Sequence, residues 1–239
     1  MAVTHVKGVT PAPIDPGENL LTRLWERAEG TSQREAIRYL DGGNWRGMTW
    51  NQIGERIQAI GAGLIALGIE PGDWVALMSS TRFEWTLADL AILAVGAVTV
   101  PIYETSSPDQ CGWILSDSGA KAAIAGMTDH AKSLDEAREH APGLGEIFVI
   151  EDGGLDALAE RGSDVQRDEV RERSRAISTE DRFSIIYTSG TTGNPKGCVL
   201  THGNMLFAVR QGEINLQKML ESDDIVEFGD RLIDGRAIT

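Results

Sequence analysis

Short apolar runs alternate with helical segments along residues 74–150, and few folds are open to a chain so patterned. Trp74 to Ser79, Val98 to Tyr103, Ala122 to Ala125 and Glu146 to Ile150 read as strands. Phe83 to Val95, Ser107-Pro108 through Trp113 to Asp117, and Thr128 to His140 read as the helices between them. Ser107 followed by Pro108 is an N-cap with a first-turn proline, which fixes where the second helix starts. Strands this apolar are buried on both faces, and helical crossovers join strands that run parallel. The pattern predicts an α/β fold: a layered, mainly parallel sheet with helices on both faces.

The flanks extend this core. Asn19 is placed to cap a helix carrying Leu20, Leu21, Leu24 and Trp25 that stops at Gly30. Ala36 to Leu40 and Trp45 to Trp50 flank Asp41-Gly42-Gly43-Asn44, a hairpin signal. Ile53, Ile57, Ile60 and Leu64 recur at helical spacing, with Gly68 as the stop. Residues 1–17, with Pro11, Pro13 and Pro16, read as a flexible leader, and 18–210 as one domain. Residues 151–180 are dense in Asp, Glu and Arg and read as a solvated helix and loop. Phe183 to Tyr187 resumes the strand pattern, Cys198 to Leu200 reads as a returning strand, and Thr201 as the cap of a helix beginning near Asn204. Residues 211–239 form a tail of uncertain structure.

Charge and cysteine content narrow the function. With 36 acidic and 22 basic residues the net charge is -14, which argues against a nucleic-acid partner, since phosphate backbones need clustered Lys and Arg. Two cysteines, Cys111 and Cys198, show no CxxC pair and no histidine at metal-ligand spacing, so neither a disulfide framework nor a zinc site is expected. Met1 to Glu18 has no apolar signal-peptide region, and the longest apolar run, Leu90 to Ile102, falls short of the ~20 residues that span a bilayer. The expected location is the cytoplasm, with at most peripheral association at the inner membrane face.

The chemistry concentrates in Tyr187-Thr188-Ser189-Gly190-Thr191-Thr192-Gly193-Asn194-Pro195-Lys196-Gly197, directly after an expected strand. Gly190 and Gly193 permit backbone geometries that turn N–H groups inward. The hydroxyls of Thr188, Ser189, Thr191 and Thr192 are short donors suited to phosphate oxygens, and Lys196 adds a positive charge. A loop of this kind holds the β and γ phosphates of a nucleotide with preorganised donors. A flexible Gly/Ser turn accounts for the small residues but leaves Pro195 and Lys196 unexplained. A Walker A loop needs Gly-Lys followed by Ser or Thr, whereas Lys196 stands between Pro195 and Gly197. A phosphotransferase using this loop therefore ranks last.

These eleven residues resemble the phosphate-binding signature of the adenylate-forming (AMP-binding) superfamily: acyl-CoA synthetases, luciferases and peptide-synthetase adenylation domains. The resemblance runs upstream through residues 19–205, in Thr49-Trp50, Gly68 to Val75 and Ser116 to Lys121. Within the superfamily, Glu84-Trp85 and Val100-Pro101-Ile102-Tyr103-Glu104-Thr105-Ser106-Ser107 resemble bacterial long-chain fatty acid–CoA ligases. The resemblance implies two half-reactions: a fatty acid carboxylate attacks the α-phosphate of MgATP to give acyl-AMP and pyrophosphate, then the thiol of coenzyme A displaces AMP. It places Thr188 near Mg²⁺ and the nucleotide phosphates. Ser189, Gly190, Thr191, Thr192, Gly193 and Lys196 surround the leaving group, with Lys196 as the catalytic cation.

Complete members of that superfamily are more than twice as long as 239 residues. The adenine-binding Gly-rich segment, the Tyr-Gly-x-Thr-Glu motif, the hinge and the C-terminal domain are not found here. The expectation is an N-terminal portion, with a folded but inactive truncated domain as the alternative. An incomplete sheet exposes an unpaired edge and apolar helix faces, and allows aggregation or self-association. Phe228-Gly229-Asp230, with Asp234-Gly235, distantly resembles a ribose-binding Thr-Gly-Asp, but Glu221 to Thr239 reads more simply as a foreign or loosely packed acidic tail. Three residue types stay outside the catalytic set. His202 reads as capping or packing, Cys198 as a small apolar strand residue, and the tryptophans, among them Trp25, Trp50, Trp74, Trp85 and Trp113, as core.

Overall fold

The computed structural model describes residues 14–15, 17–188 and 194–221, with all side chains in these ranges except those of residue 167 and residues 216–221. The chain opens with α1 (Leu20–Gly30), whose cap Asn19 accepts hydrogen bonds from the backbone N–H groups of Leu21 and Thr22. The hairpin β1 (Glu35–Asp41) and β2 (Asn44–Thr49) follows. It turns through Gly42 and Gly43, both at positive φ, as a two-residue hairpin demands. Helix α2 (Trp50–Ala66) begins at Trp50, which is not the end of a strand. Thr49 and Gln52 form a reciprocal capping box there, and satisfying those orphan N–H groups starts the helix one residue after Thr49.

The central sheet then assembles from β3 (Trp74–Met78), α3 (Phe83–Ala94), β4 (Val98–Ile102), α4 (Pro108–Ser118), β5 (Ala122–Ala125), α5 (Thr128–Glu136) and β6 (Ile147–Val149). The helix expected to run to His140 tightens into a 3₁₀ turn over Ala137–His140. Helices α6 (Gly154–Arg161) and α7 (Arg167–Ala176) lead to β7 (Arg182–Thr188), β8 (Lys196–Thr201) and α8 (His202–Glu221). The boundary expected at residue 210 falls inside α8.

The six-stranded sheet has the order β6-β5-β3-β4-β7-β8, and every pair is parallel except β7 with β8. Alternate residues feed two cores. Val75 and Leu77 of β3 and Ala122 and Ile124 of β5 face α1, α2 and α3, while Ala76, Met78, Ala123 and Ala125 face α4 and α5. Helices therefore cover both faces, as the alternation predicts. Each fully buried Leu or Ile contributes about 2 kcal/mol of transfer free energy.

Residues 151–180 are more than a solvated helix and loop. A sparse apolar stripe suffices to dock both α6 and α7, because Leu155, Leu158 and Val170 are buried in the same core as α2. Gly63 makes this approach close: a Cβ there would stand 1.9 Å from the Leu158 carbonyl oxygen. The tryptophans also divide. Trp25 is buried and donates to Ser174 Oγ at 2.8 Å, whereas Trp45 on the hairpin is 71% exposed and Trp113 on α4 is 38% exposed. No helix among the described residues is long and apolar enough to cross a membrane.

Candidate functional site

Strand β7 runs parallel to β4 and delivers its last residue, Thr188, to the carboxyl-terminal edge of the parallel strands. In open α/β sheets this edge is where ligands bind. The chain returns antiparallel as β8, and the ladder pairs Tyr187 with Gly197 and Thr188 with Lys196. The two arms of the Gly/Thr loop thus close on a cross-strand pair of a hydroxyl and an ammonium, both side chains exposed. Ser189, Gly190, Thr191, Thr192 and Gly193 lie outside the described residues. The structure brings Thr188 and Lys196 together and describes no more of the expected set.

Two hydrogen bonds join these arms to α4. Tyr187 donates its hydroxyl to Asp117 Oδ2 at 2.7 Å, and Trp113 donates Nε1–H to the carbonyl oxygen of Pro195 at 2.9 Å. Burial and the neighbouring Asp117 carboxylate both push the Tyr187 phenol above its ordinary pKa, so it stays a neutral donor. Gly197 fits tightly, because a Cβ there would fall 2.4 Å from Ile185 Cδ1 and 3.2 Å from Tyr187 Cζ. Sequence reasoning assigned Trp113 to the core. The spacing of Trp113 and Asp117, four apart on one helix face, was the available signal.

Around this edge, Arg82 forks onto Glu84 with bonds of 2.8 and 2.7 Å. Burial raises the Glu84 carboxyl, but the Arg82 hydrogen bonds, a backbone N–H and the guanidinium charge together outweigh it and hold the pKa below the ordinary value. Behind the strands, Thr99 donates to Asp89 Oδ1 at 2.7 Å and accepts at its carbonyl from Ser184 Oγ at 3.0 Å, tying α3, β4 and β7 together. His202 is buried at the start of α8, edge-on to Phe183, and its desolvation pushes the imidazole pKa down to about 4. It packs, as its position implies, while Thr201 Oγ1 caps the helix by accepting from the N–H of Asn204 at 3.3 Å. Cys198 departs from expectation. It lies in β8 but is exposed, because β8 is the sheet's edge and nothing among the described residues covers it.

No cluster of three or more His, Cys, Asp or Glu among the described residues could hold a metal ion.

Thr188 and Lys196 stand at the carboxyl edge of a mainly parallel sheet covered by helices on both faces, which defines an α/β class of fold. The model of the family "AMP-binding enzyme" matches residues 24–230, and the chain belongs to that family. Among curated relatives, the long-chain-fatty-acid–CoA ligase FadD15 of Mycobacterium bovis is 41% identical over 205 residues, covering 84% of this chain and 34% of that protein. The peroxisomal long chain acyl-CoA synthetase 7 of Arabidopsis thaliana is 31% identical, covering 73% of this chain and 26% of its own. Among solved structures, the N-terminal domain of FACL13 from Mycobacterium tuberculosis superposes with a TM-score of 0.64 at 30% identity, over 77% of this chain and 44% of that one. A fatty acyl-adenylate ligase from L. pneumophila, in complex with acyl adenylate and pyrophosphate, gives 0.62 at 26% identity, over 80% and 31%. The chain spans between a quarter and a third of the length of the curated relatives it matches.

Proposed function

We propose that this chain supplies the phosphate-binding half of an ATP-dependent long-chain fatty acid–CoA ligase. The observation that carries the reading is the pairing of Thr188 with Lys196 at the mouth of the Gly/Thr loop, in a chain 41% identical to a long-chain-fatty-acid–CoA ligase over 205 residues. Lys196 compensates charge on the β and γ phosphates as pyrophosphate leaves, and Ser189 to Gly193 offer backbone N–H groups and hydroxyls to the same oxygens. Thr188 would hold Mg²⁺ with the nucleotide phosphates, and that ion supplies electrostatic stabilisation of the leaving group. Fatty acid and coenzyme A are the other substrates. The reading carries no nucleic-acid partner, a cytoplasmic location and at most peripheral membrane contact.

A second reading is favoured by the coverage of between a quarter and a third of the relatives' length. Here the 239-residue chain is a folded domain that binds nucleotide phosphate without turning over. Exposed Ile186, Val199 and Phe207 near the β8 edge then favour self-association.

Pyrophosphate release from the chain with MgATP and a long-chain fatty acid separates the two. Release that requires the fatty acid and drops at least ~10-fold in Lys196→Ala supports a ligase. MgATP binding without release supports the non-catalytic domain, and neither binding nor release contradicts both.

A further inference from the structure

We propose that α4 is the positioning element of the phosphate loop, and that Trp113 and Asp117 place Lys196 by holding the residues on either side of it. Pro195, just before Lys196, has its carbonyl fixed by Trp113 Nε1–H at 2.9 Å. Gly197, just after it, is the cross-strand partner of Tyr187 and lies against that ring, which Asp117 holds by the phenol at 2.7 Å. Trp113 and Asp117 are one helical turn apart, so one rigid face of α4 (Pro108–Ser118) grips both arms of the loop.

The topology explains why the loop needs this. Among the described residues β8 has β7 as its one neighbour in the sheet, so its first residues have no second described ladder to hold them. A loop whose arms move must be ordered when a phosphate arrives, and that ordering subtracts from affinity. α4 itself is anchored at its start, where Ser107 and Gln110 cap each other, and through buried Cys111, Ile114 and Leu115. The helix is therefore firm enough to fix an otherwise half-supported strand. Trp113 spends its one donor on a loop carbonyl while 38% exposed, which core packing alone does not require.

The consequence for binding rests on the nucleotide reading above; the structural claim does not. Amide hydrogen exchange in the ligand-free 239-residue chain tests it directly. Trp113→Phe, which keeps a ring and loses the donor, and Asp117→Ala are expected to speed exchange at residues 196–199 about fivefold or more, the equivalent of one lost hydrogen bond. Asp117→Asn keeps an acceptor for Tyr187 and restores the parent rate. MgATP titration supplies the second readout: Trp113→Phe weakens binding about fivefold when Lys196 is present and has no effect in a Lys196→Ala background. Parent-like exchange in both variants, or an equal loss of affinity with and without Lys196, overturns the positioning role. Faster exchange in the two variants, with no MgATP binding by the parent chain, supports the α4 grip and contradicts the nucleotide reading alone.

Discussion

Thr188 and Lys196 face each other across the β7–β8 ladder, the last residue of one strand opposite the first of the next. Both side chains reach solvent, so neither is needed for the core. Lys196→Ala is therefore expected to change unfolding free energy by less than about 0.5 kcal/mol, as for other exposed substitutions. Urea denaturation checks this. A larger loss would mean that Lys196 holds the strand pair together, contrary to a ligand-directed role.

Gly197 stands beside that lysine with no room for a methyl group. Its Cβ would meet Ile185 Cδ1 at 2.4 Å and the Tyr187 ring at 3.2 Å. Ile185 is buried but its terminal methyl can turn aside, so Gly197→Ala is expected to cost about 1–2 kcal/mol. Thermal unfolding of the variant beside the parent measures it, and unchanged stability would contradict the packing of β8 against Tyr187.

A harsher steric limit lies on the far side of the sheet. At Gly63 the obstacle is backbone: a Cβ would come within 1.9 Å of the Leu158 oxygen, and at Gly162 within 2.4 Å of the Gly63 nitrogen. Neither can move without lifting α6 from α2, so Gly63→Ala is expected to lose about 3 kcal/mol or more. The denaturant midpoint reports this, and a midpoint matching the parent would contradict the close helix contact.

Half-buried Asp89 and buried His202 give stability an opposed pH dependence. Burial raises the Asp89 carboxyl to about 6 against the hydrogen bond from Thr99, and lowers the His202 imidazole to about 4. The folded state keeps the Asp89 proton above the pH where the unfolded chain releases it, so between about pH 4 and 6 this group makes stability fall as pH rises. His202 takes up a proton near pH 6.5 when unfolded but only near 4 when folded, so it makes stability fall as pH drops. The slopes offset each other between about pH 4 and 6. Asp89→Asn keeps an acceptor for Thr99 and removes one slope. It is expected to be more stable than the parent by about 3 kcal/mol at pH 7.5 and equal to it near pH 4. Urea unfolding at the two pH values decides, and a less stable variant at pH 7.5 would contradict the cost assigned to the half-buried carboxylate.

Much of this was legible in the sequence because local signals and long-range packing agree. The runs at Trp74, Val98 and Ala122 are apolar on both sides of the strand, and such residues have nowhere to go but between two helical layers. Asn19 and Ser107 announced their helices through cap chemistry, and Thr49 with Gln52 carried the same signal for Trp50. Residues 151–180 were misjudged because charge density hides a stripe as thin as Leu155, Leu158 and Val170. Whether such a stripe docks depends on Gly63 in a distant helix. Trp113 was misjudged for a related reason. Its partner is a backbone carbonyl 82 residues away, and no periodicity encodes a contact of that kind. At the site, Thr188 and Lys196 were legible as loop ends, whereas their register and the grip of α4 on both arms exist only once the sheet is assembled.

The measurement that bears most directly on the phosphate-binding claim is equilibrium binding of MgATP to the 239-residue chain, by calorimetry, beside Lys196→Ala. The account predicts saturable binding by the parent and a loss of at least ~10-fold in the variant at unchanged fold stability, since a charge-assisted contact to phosphate contributes about 1.5–3 kcal/mol. Equal affinity in parent and variant, or no binding by a folded parent chain, would contradict it.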